Sequence, residues 1–305
     1  LVVAGAYSGY DELALLRYDG PGALTKKYSW TTGNGYIAID CAPAICDQGS
    51  PGTYLDGCPD LIWTWGTAGD VQAVDFAISQ PNGAQIWQFS DSWVDPSSPT
   101  IADFNDDGIG DVVIGFQSPT KVYVINGKDG TEMNSKTTDD KIYCKPAAGD
   151  IDNDGEPEII VVDKGGDVYY WDNVAARDGV FIKILDYAGA GRAGWASPVL
   201  CNLDFDPGLE IVVYLTKTST EAEVIALDGP PGFGILWSAT VPSNIGIHYY
   251  TAGSPAVCDL NGDGTVDVVV TTTFNNMGGV YAFDGKTGLT LAGFPVTGLE
   301  AIHTA

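Results

Sequence analysis

Four stretches of this chain align with one another without a gap, and that repeat constrains the fold more than any other feature. They run from Ser98 to Ile114, Lys145 to Val161, Ser197 to Val213 and Ser254 to Val270. A fifth, from Ala42 to Trp63, carries five extra residues in its central loop. The repeat prolines Pro43, Pro99, Pro146, Pro198 and Pro255 lie 56, 47, 52 and 57 residues apart, the length of one four-stranded propeller blade with its loops. Each unit has a short strand that enters an acidic turn, then a β-branched run such as Asp267 to Thr273, then a third strand such as Gly279 to Phe283. An Asn-Gly or Asp-Gly turn follows, at Asn126 and Asp284, before a fourth strand that often bears tryptophan, as at Trp87 and Trp237. The expected fold is therefore all-β, a single β-propeller domain over residues 1–305 built of four-stranded antiparallel blades. Six are visible, at about 1–41, 42–97, 98–144, 145–196, 197–253 and 254–305.

The two ends refine that expectation. Leu1 to Gly5 matches Val112 to Gly115, which places the start of the chain in the second strand of a blade. Ala301 to Ala305 stops about where another first strand would begin. The missing strand is open to supply by residues outside this segment or by a neighbouring subunit, and a seventh blade is compatible with the count.

The charge is as skewed as the repeat is regular. Lys and Arg total 14 against 40 Asp and Glu, a net charge of −26, and only 8 of the 40 acids are Glu. Asp favours turns and oxygen-rich cation sites over helices, so the excess, with 39 Gly and 17 Pro, fits many turns and few helices. Such a chain is repelled by nucleic acid phosphate and by anionic membranes, and no apolar run approaches the length of a membrane span. Cations are the natural partners.

The acidic turns are where cations would go. Turn positions 1, 3, 5 and 9 are Asp103, Asn105, Asp107 and Asp111 in one repeat and Asp150, Asp152, Asp154 and Glu158 in the next. They are Asn202, Asp204, Asp206 and Glu210 in the third, and Asp259, Asn261, Asp263 and Asp267 in the fourth. Thirteen of these sixteen are carboxylates and the rest are amides. Alternate residues of a tight turn, with the backbone carbonyl of position 7 (Ile109, Glu156 or Thr265), supply the oxygens that calcium takes, as in the first half of an EF-hand loop. Clustered carboxylates also repel one another unless a cation sits among them. Gly108, Gly155 and Gly264 provide the bend, whereas the third loop has Pro207 there and an amide at position 1, making it the weakest of the four. Two to four structural calcium ions are expected. The loop from Asp47, with Asp56 and Asp60 across its insertion, is a degenerate version.

On these motifs the chain resembles the integrin-α-like FG-GAP and VCBS repeat propellers, whose D-x-D/N-x-D-G-x-x-D loops join the first two strands of a blade. The resemblance covers nearly the whole chain and implies the fold and calcium loops. It does not choose a function, because that fold hosts adhesion receptors, lectins and lyases alike.

Little else in the chain suggests chemistry. Gly189 to Gly194 matches a dinucleotide fingerprint, but the next repeat starts at Trp195 where a helix would be required. His248 lies in a stretch, Ile245 to Thr251, that looks like one preceding an acidic loop in rhamnogalacturonan lyase propellers, which makes it the one catalytic candidate. Aromatic residues recur in the loops from a fourth strand to the next first strand: Trp93, Tyr143, Tyr187, Trp195, Tyr249 and Tyr250. Those loops share one face of a propeller, where rings can stack on sugars, anchor a protein or pack between blades. Trp30, Trp87 and Trp237 sit within strands and are expected in the core.

Cys46, Cys201 and Cys258 occupy one repeat position and fit a small buried side chain; Cys46 with Cys58 is the favoured disulfide, Cys41 with Cys144 a weaker one. The leading expectation is a noncatalytic extracellular or cell-surface module that recognises carbohydrate or protein. The alternatives are a polysaccharide lyase and an architectural subunit that assembles with copies of itself.

Overall fold

The computed structural model describes residues 2–4, 12–20, 23–31, 44–46, 60–65, 70–75, 84–91, 97–176, 179–187, 191–243, 253–274 and 277–300. Among them there is no helix, and hence none long and apolar enough to cross a membrane. The strands form six antiparallel sheets, each an open meander. Contacts divide the chain into two compact units, Leu1–Thr137 and Thr138–Ala305.

The first unit holds three sheets. One has three strands, Val2–Ala4, Glu12–Gly20 and Ala23–Thr31. The second comprises Ala44–Cys46, Asp60–Trp65, Asp70–Asp75 and Ala84–Ser90. The third comprises Thr100–Ala102, Asp111–Gly115, Lys121–Ile125 and Glu132–Thr137. The second unit holds the fourth sheet, Ala147–Gly149, Glu158–Val162, Val168–Trp171 and Phe181–Leu185. The fifth has Val199–Cys201, Glu210–Thr216, Glu221–Leu227 and Ile235–Pro242, and the sixth Ala256–Cys258, Asp267–Phe274, Met277–Asp284 and Val296–Glu300. The fifth sheet departs from four strands. Ala193–Gly194 also pairs with the end of Glu210–Thr216, whose start is already paired with Val199–Cys201.

Inner strands are apolar on both faces because sheets pack on both sides of them. In Glu210–Thr216 every residue is buried. Ile211, Val213 and Leu215 join a core with Ile160, Val162 and Tyr170 of the fourth sheet. Val212 and Tyr214 point the other way, into a core with Val268, Val270 and Phe283 of the sixth. The period-2 alternation of a strand thus fills two cores at once. In the first unit, Ile62, Val71 and Trp87 of the second sheet meet Val112, Ile114 and Tyr123 of the third in the same manner.

Fourth-strand tryptophans fasten one sheet to the next. The Trp87 indole Nε1–H donates to the Gly127 carbonyl at 2.5 Å, and Trp237 Nε1–H donates to the Gly285 carbonyl at 2.6 Å. Each ring also lies against the last glycine of that turn. A Cβ on Gly130 would meet Trp87 carbons at 2.8 Å, and one on Gly288 would meet Trp237 carbons at 2.7 Å. Both glycines have positive φ, 74° and 69°, so the turn and the ring each require glycine. Between the fourth and fifth sheets the contact runs the other way, from the turn that precedes Ile235–Pro242: Phe233 lies there with its ring centroid 4.8 Å from that of Tyr170.

The cysteines differ from expectation. Cys144 is a free, buried thiol donating to the Val162 carbonyl at 3.2 Å, so it is not bonded to Cys41, which lies outside the described residues. Cys201 is buried as expected, but Cys258 at the same repeat position is exposed. Cys258 pairs with Asp267 in the same register as Cys201 with Glu210, but Cys201 lies in the core shared with the sixth sheet, and among the described residues no such core covers Cys258.

Candidate metal centres

Each acidic loop is a tight turn stitched by its own side chains. In the loop from Asp103, the Asp107 N–H donates to Asp103 Oδ1 at 3.3 Å and to Asn105 Oδ1 at 3.0 Å. The Gly108 N–H donates to Asp103 Oδ2 at 2.8 Å, and the Ile109 N–H to Asp107 Oδ1 at 2.9 Å. The loop from Asp150 repeats the set. Asp154 N–H reaches Asp150 Oδ1 at 3.0 Å and Asp152 Oδ1 at 3.2 Å, Gly155 N–H reaches Asp150 Oδ2, and Glu156 N–H reaches Asp154 Oδ1. The loop from Asp259 does so again through Asp263, Gly264 and Thr265. The side-chain oxygens of positions 1 and 3 therefore meet at the position 5 N–H in all three, and the position 5 side chain holds the N–H of position 7. Position 4 is left-handed throughout, with φ of 55° at Asp106, 62° at Asn153, 73° at Phe205 and 77° at Gly262.

Position 9 closes each loop from below. Asp111, Glu158, Glu210 and Asp267 are all 0% exposed. One oxygen of each accepts the backbone N–H of position 2: Phe104 to Asp111 at 3.1 Å, Ile151 to Glu158 at 2.6 Å, Leu260 to Asp267 at 2.9 Å, and Leu203 to Glu210. The second oxygens differ. Asp111 Oδ1 accepts the Gly127 N–H at 2.9 Å, whereas Glu158 Oε1, Glu210 Oε1 and Asp267 Oδ1 have no hydrogen-bond partner in the protein. Burial drives the Glu158 and Glu210 carboxyls up from 4.5 to about 7 and that of Asp111 up from 3.8 to about 6, against the backbone donors that pull them down. Asp152 is also raised, by burial and by the charge of Asp154. One carboxylate oxygen each from Asp150, Asp152 and Glu158 lie within 4.8 Å of one another, and Asp204, Asp206 and Glu210 form a second such group. These are all-oxygen donor sets of the kind calcium takes, with a buried oxygen in need of a partner.

The third loop is stitched differently. Pro207 has no N–H to donate to position 1, and the remaining bonds run from Phe205 N–H to Asn202 Oδ1 at 2.6 Å, Asp206 N–H to Asp204 Oδ1 and Gly208 N–H to Asp206 Oδ1. The spare Asn202 Nδ2 donates to the carbonyls of Asp206 and Gly208.

Of the aromatic loop residues, Tyr143 and Trp195 form a half-buried pair, centroids 4.8 Å apart and tilted by 41°. Tyr187 carries the Arg192 guanidinium 4.0 Å above its ring, and Arg192 is ion-paired with Glu223. Trp93, Tyr249, Tyr250 and the candidate His248 lie outside the described residues, as do Asp47 and Asp56, while Asp60 is buried.

A polar network that no sequence spacing announced sits beside the aromatic residues. Buried Asp163 accepts from the N–H groups of Asp140 and Asp167 and from the Tyr169 hydroxyl. Lys183 bridges Asp139 and Asp167 at 2.7 Å each, which holds its ammonium well above the usual lysine range. Its members lie up to 44 residues apart, so only the fold brings them together.

Comparison with known proteins agrees with this architecture. A family model described as an FG-GAP-like repeat matches residues 103–161, from the first acidic loop into the second strand of the fourth sheet. No curated protein matches the chain in sequence. Among solved structures, BamB from Moraxella catarrhalis is 15% identical, with 97% of this chain and 72% of that one covered and a TM-score of 0.55. Saccharomyces cerevisiae Sqt1 is 10% identical over 99% and 71%, with a TM-score of 0.65. BBS1N, solved in complex with ARL6DN and soaked with lead, is 14% identical over 96% and 83%, with a TM-score of 0.52. At such identities the likeness is one of fold, and it defines the class: an all-β repeat protein with propeller-type sheets. Over residues 103–161 its repeat is similar to the FG-GAP-like one.

Proposed function

We propose that this chain is a noncatalytic recognition module, working outside the cell or at its surface, whose acidic loops hold structural calcium and whose aromatic loops engage a carbohydrate or protein partner. The observation that carries the calcium reading is Glu158. Its carboxylate is fully buried, one oxygen has no protein partner, and carboxylates of Asp150 and Asp152 stand beside it. Burying such a group uncompensated costs several kcal/mol, and a hard divalent cation among these oxygens removes that cost. Asp150, Asp152, Asp154, Glu158 and the Glu156 carbonyl would hold the ion there. Asp103, Asn105, Asp107, Asp111 and the Ile109 carbonyl are the counterparts in one further loop, and Asp259, Asn261, Asp263, Asp267 and the Thr265 carbonyl in another. Loops of this kind suit millimolar extracellular calcium, which favours the location.

The Tyr143–Trp195 pair supports a partner-binding role, since a half-buried aromatic pair offers apolar area at little entropic cost. The charged side chains nearby support recognition over catalysis, because Lys183 is paired with Asp167 and Arg192 with Glu223, and Asp163 is held by backbone N–H groups and the Tyr169 hydroxyl. The test is retention of the full chain on a panel of neutral and acidic polysaccharides in calcium and again in EGTA, alongside thermal melts. Calcium is expected to raise the melting temperature and to support retention on a subset of polymers. An unchanged melt would remove calcium from the reading. A folded chain retained by no polymer would turn the partner to a protein, and release of unsaturated uronide would replace recognition by lyase chemistry.

A further inference from the structure

The third acidic loop combines two departures that fit each other. Position 6 is Pro207, so the backbone N–H that binds the second oxygen of position 1 in the other loops does not exist. Position 1 is correspondingly Asn202, whose side chain has a single acceptor. That acceptor is fixed by the Phe205 N–H at 2.6 Å, which sets the orientation of the amide. Turning the amide over would put NH₂ against N–H. The donor end therefore points at the carbonyls of Asp206 and Gly208, and Gly208 is position 7, whose carbonyl is a cation ligand in loops of this design. Meanwhile Asp204, Asp206 and the fully buried Glu210, with its unpartnered Oε1, gather at positions 3, 5 and 9, where the second loop gathers Asp150, Asp152 and Glu158 at positions 1, 3 and 9.

We infer that the Asn202 amide competes with the cation for this loop, so that among the acidic loops it is the last to fill and the first to empty. Binding the ion must break both Nδ2 bonds before the Gly208 carbonyl can turn to it, while Asn202 Oδ1, with two lone pairs, can keep the Phe205 bond as the position-1 oxygens of the other loops keep theirs. Position 1 also brings no charge of its own. Two hydrogen bonds and one missing carboxylate correspond to an affinity on the order of a hundredfold weaker than at the Asp150 loop. When the ion leaves, the amide recloses the turn, so the hairpin of Val199–Cys201 and Glu210–Thr216 keeps its shape at calcium levels where its neighbours have loosened.

The inference rests on the reading of the other loops as calcium sites, and the experiment separates the two. Hydrogen exchange of the full chain is followed by mass spectrometry across a calcium titration, for the wild type and Asn202→Asp. Peptides covering 150–158 and 259–267 are expected to become protected at calcium concentrations at least about tenfold below those needed at 202–210, and Asn202→Asp should bring the third loop close to the others. Coincident midpoints in the wild type, or a gap that Asn202→Asp leaves intact, would overturn the inference. If no loop responds to calcium, the calcium reading fails by itself. The amide closure is then decided in EGTA, where Asn202→Asp is expected to speed exchange over 202–210 roughly tenfold. Equal rates there would sink it.

Discussion

Removing calcium should invert the pH dependence of stability. In the metal-free chain the Glu158 carboxyl titrates at about 7, against 4.5 when exposed, because burial penalises its charge. The folded state therefore binds this proton more tightly than the unfolded state. The resulting stability is fully present below pH 4.5 and is lost as pH rises through 7. At about 1.4 kcal/mol per tenfold change in proton affinity, the loss amounts to about 3 kcal/mol for this residue. Glu210 follows the same course, and Asp111 loses its share between 3.8 and about 6. In a domain of this size each such loop is worth on the order of 5–10 °C in melting temperature. A bound cation favours the ionised carboxylates, so in calcium the slope changes sign and stability rises over the same range. Thermal melts of the calcium-stripped chain in metal-free buffers from pH 5 to 8, paired with melts in millimolar calcium, provide the assay. A metal-free melting temperature that is flat or climbs between pH 5 and 7.5 would refute the buried-carboxylate argument. Parallel slopes with and without calcium would refute the placement of the ion beside these carboxylates.

Two substitutions test the joints between sheets. Trp237→Phe keeps a ring in the core but leaves the Gly285 carbonyl without its donor and a gap beside Gly288, and should cost about 2–3 kcal/mol in urea unfolding. Gly285→Ala should cost about 3 kcal/mol, since its Cβ would stand 1.8 Å from the Val266 carbonyl oxygen, and a wild-type midpoint in the same unfolding measurement would contradict that.

The sheets and the acidic loops were legible in the sequence because each rests on local spacing. Pro99, Pro146, Pro198 and Pro255 mark the repeat, and the bonds from positions 5, 6 and 7 back to positions 1, 3 and 5 join residues no more than five apart. Burial of Trp87 and Trp237 followed from their strand position, yet their partners did not, because Gly127 and Gly285 lie 40 and 48 residues downstream. Cys201 and Cys258 show where repeat logic ends. Identical positions in register have different exposure because burial depends on what packs against the sheet, and a repeat alignment does not encode that. Likewise, nothing around Lys183 in sequence points to Asp139 or Asp167. The coupling of Asn202 to Pro207 was half visible, as two departures in one loop whose common cause is a hydrogen bond that proline cannot donate.

The tryptophan joints run in one direction, each ring reaching forward to a turn 40 or 48 residues later in the chain. During synthesis, therefore, the sheet that carries the indole can form before the turn that receives it. At about 5–20 residues per second, synthesis over that separation takes roughly 2–10 s, longer than a sheet needs to form. The order of assembly is thus written into the direction of the bonds. At these two joints a sheet is fastened by its successor, and the Trp237 ring and N–H have no mate until the turn holding Gly285 has formed beside them.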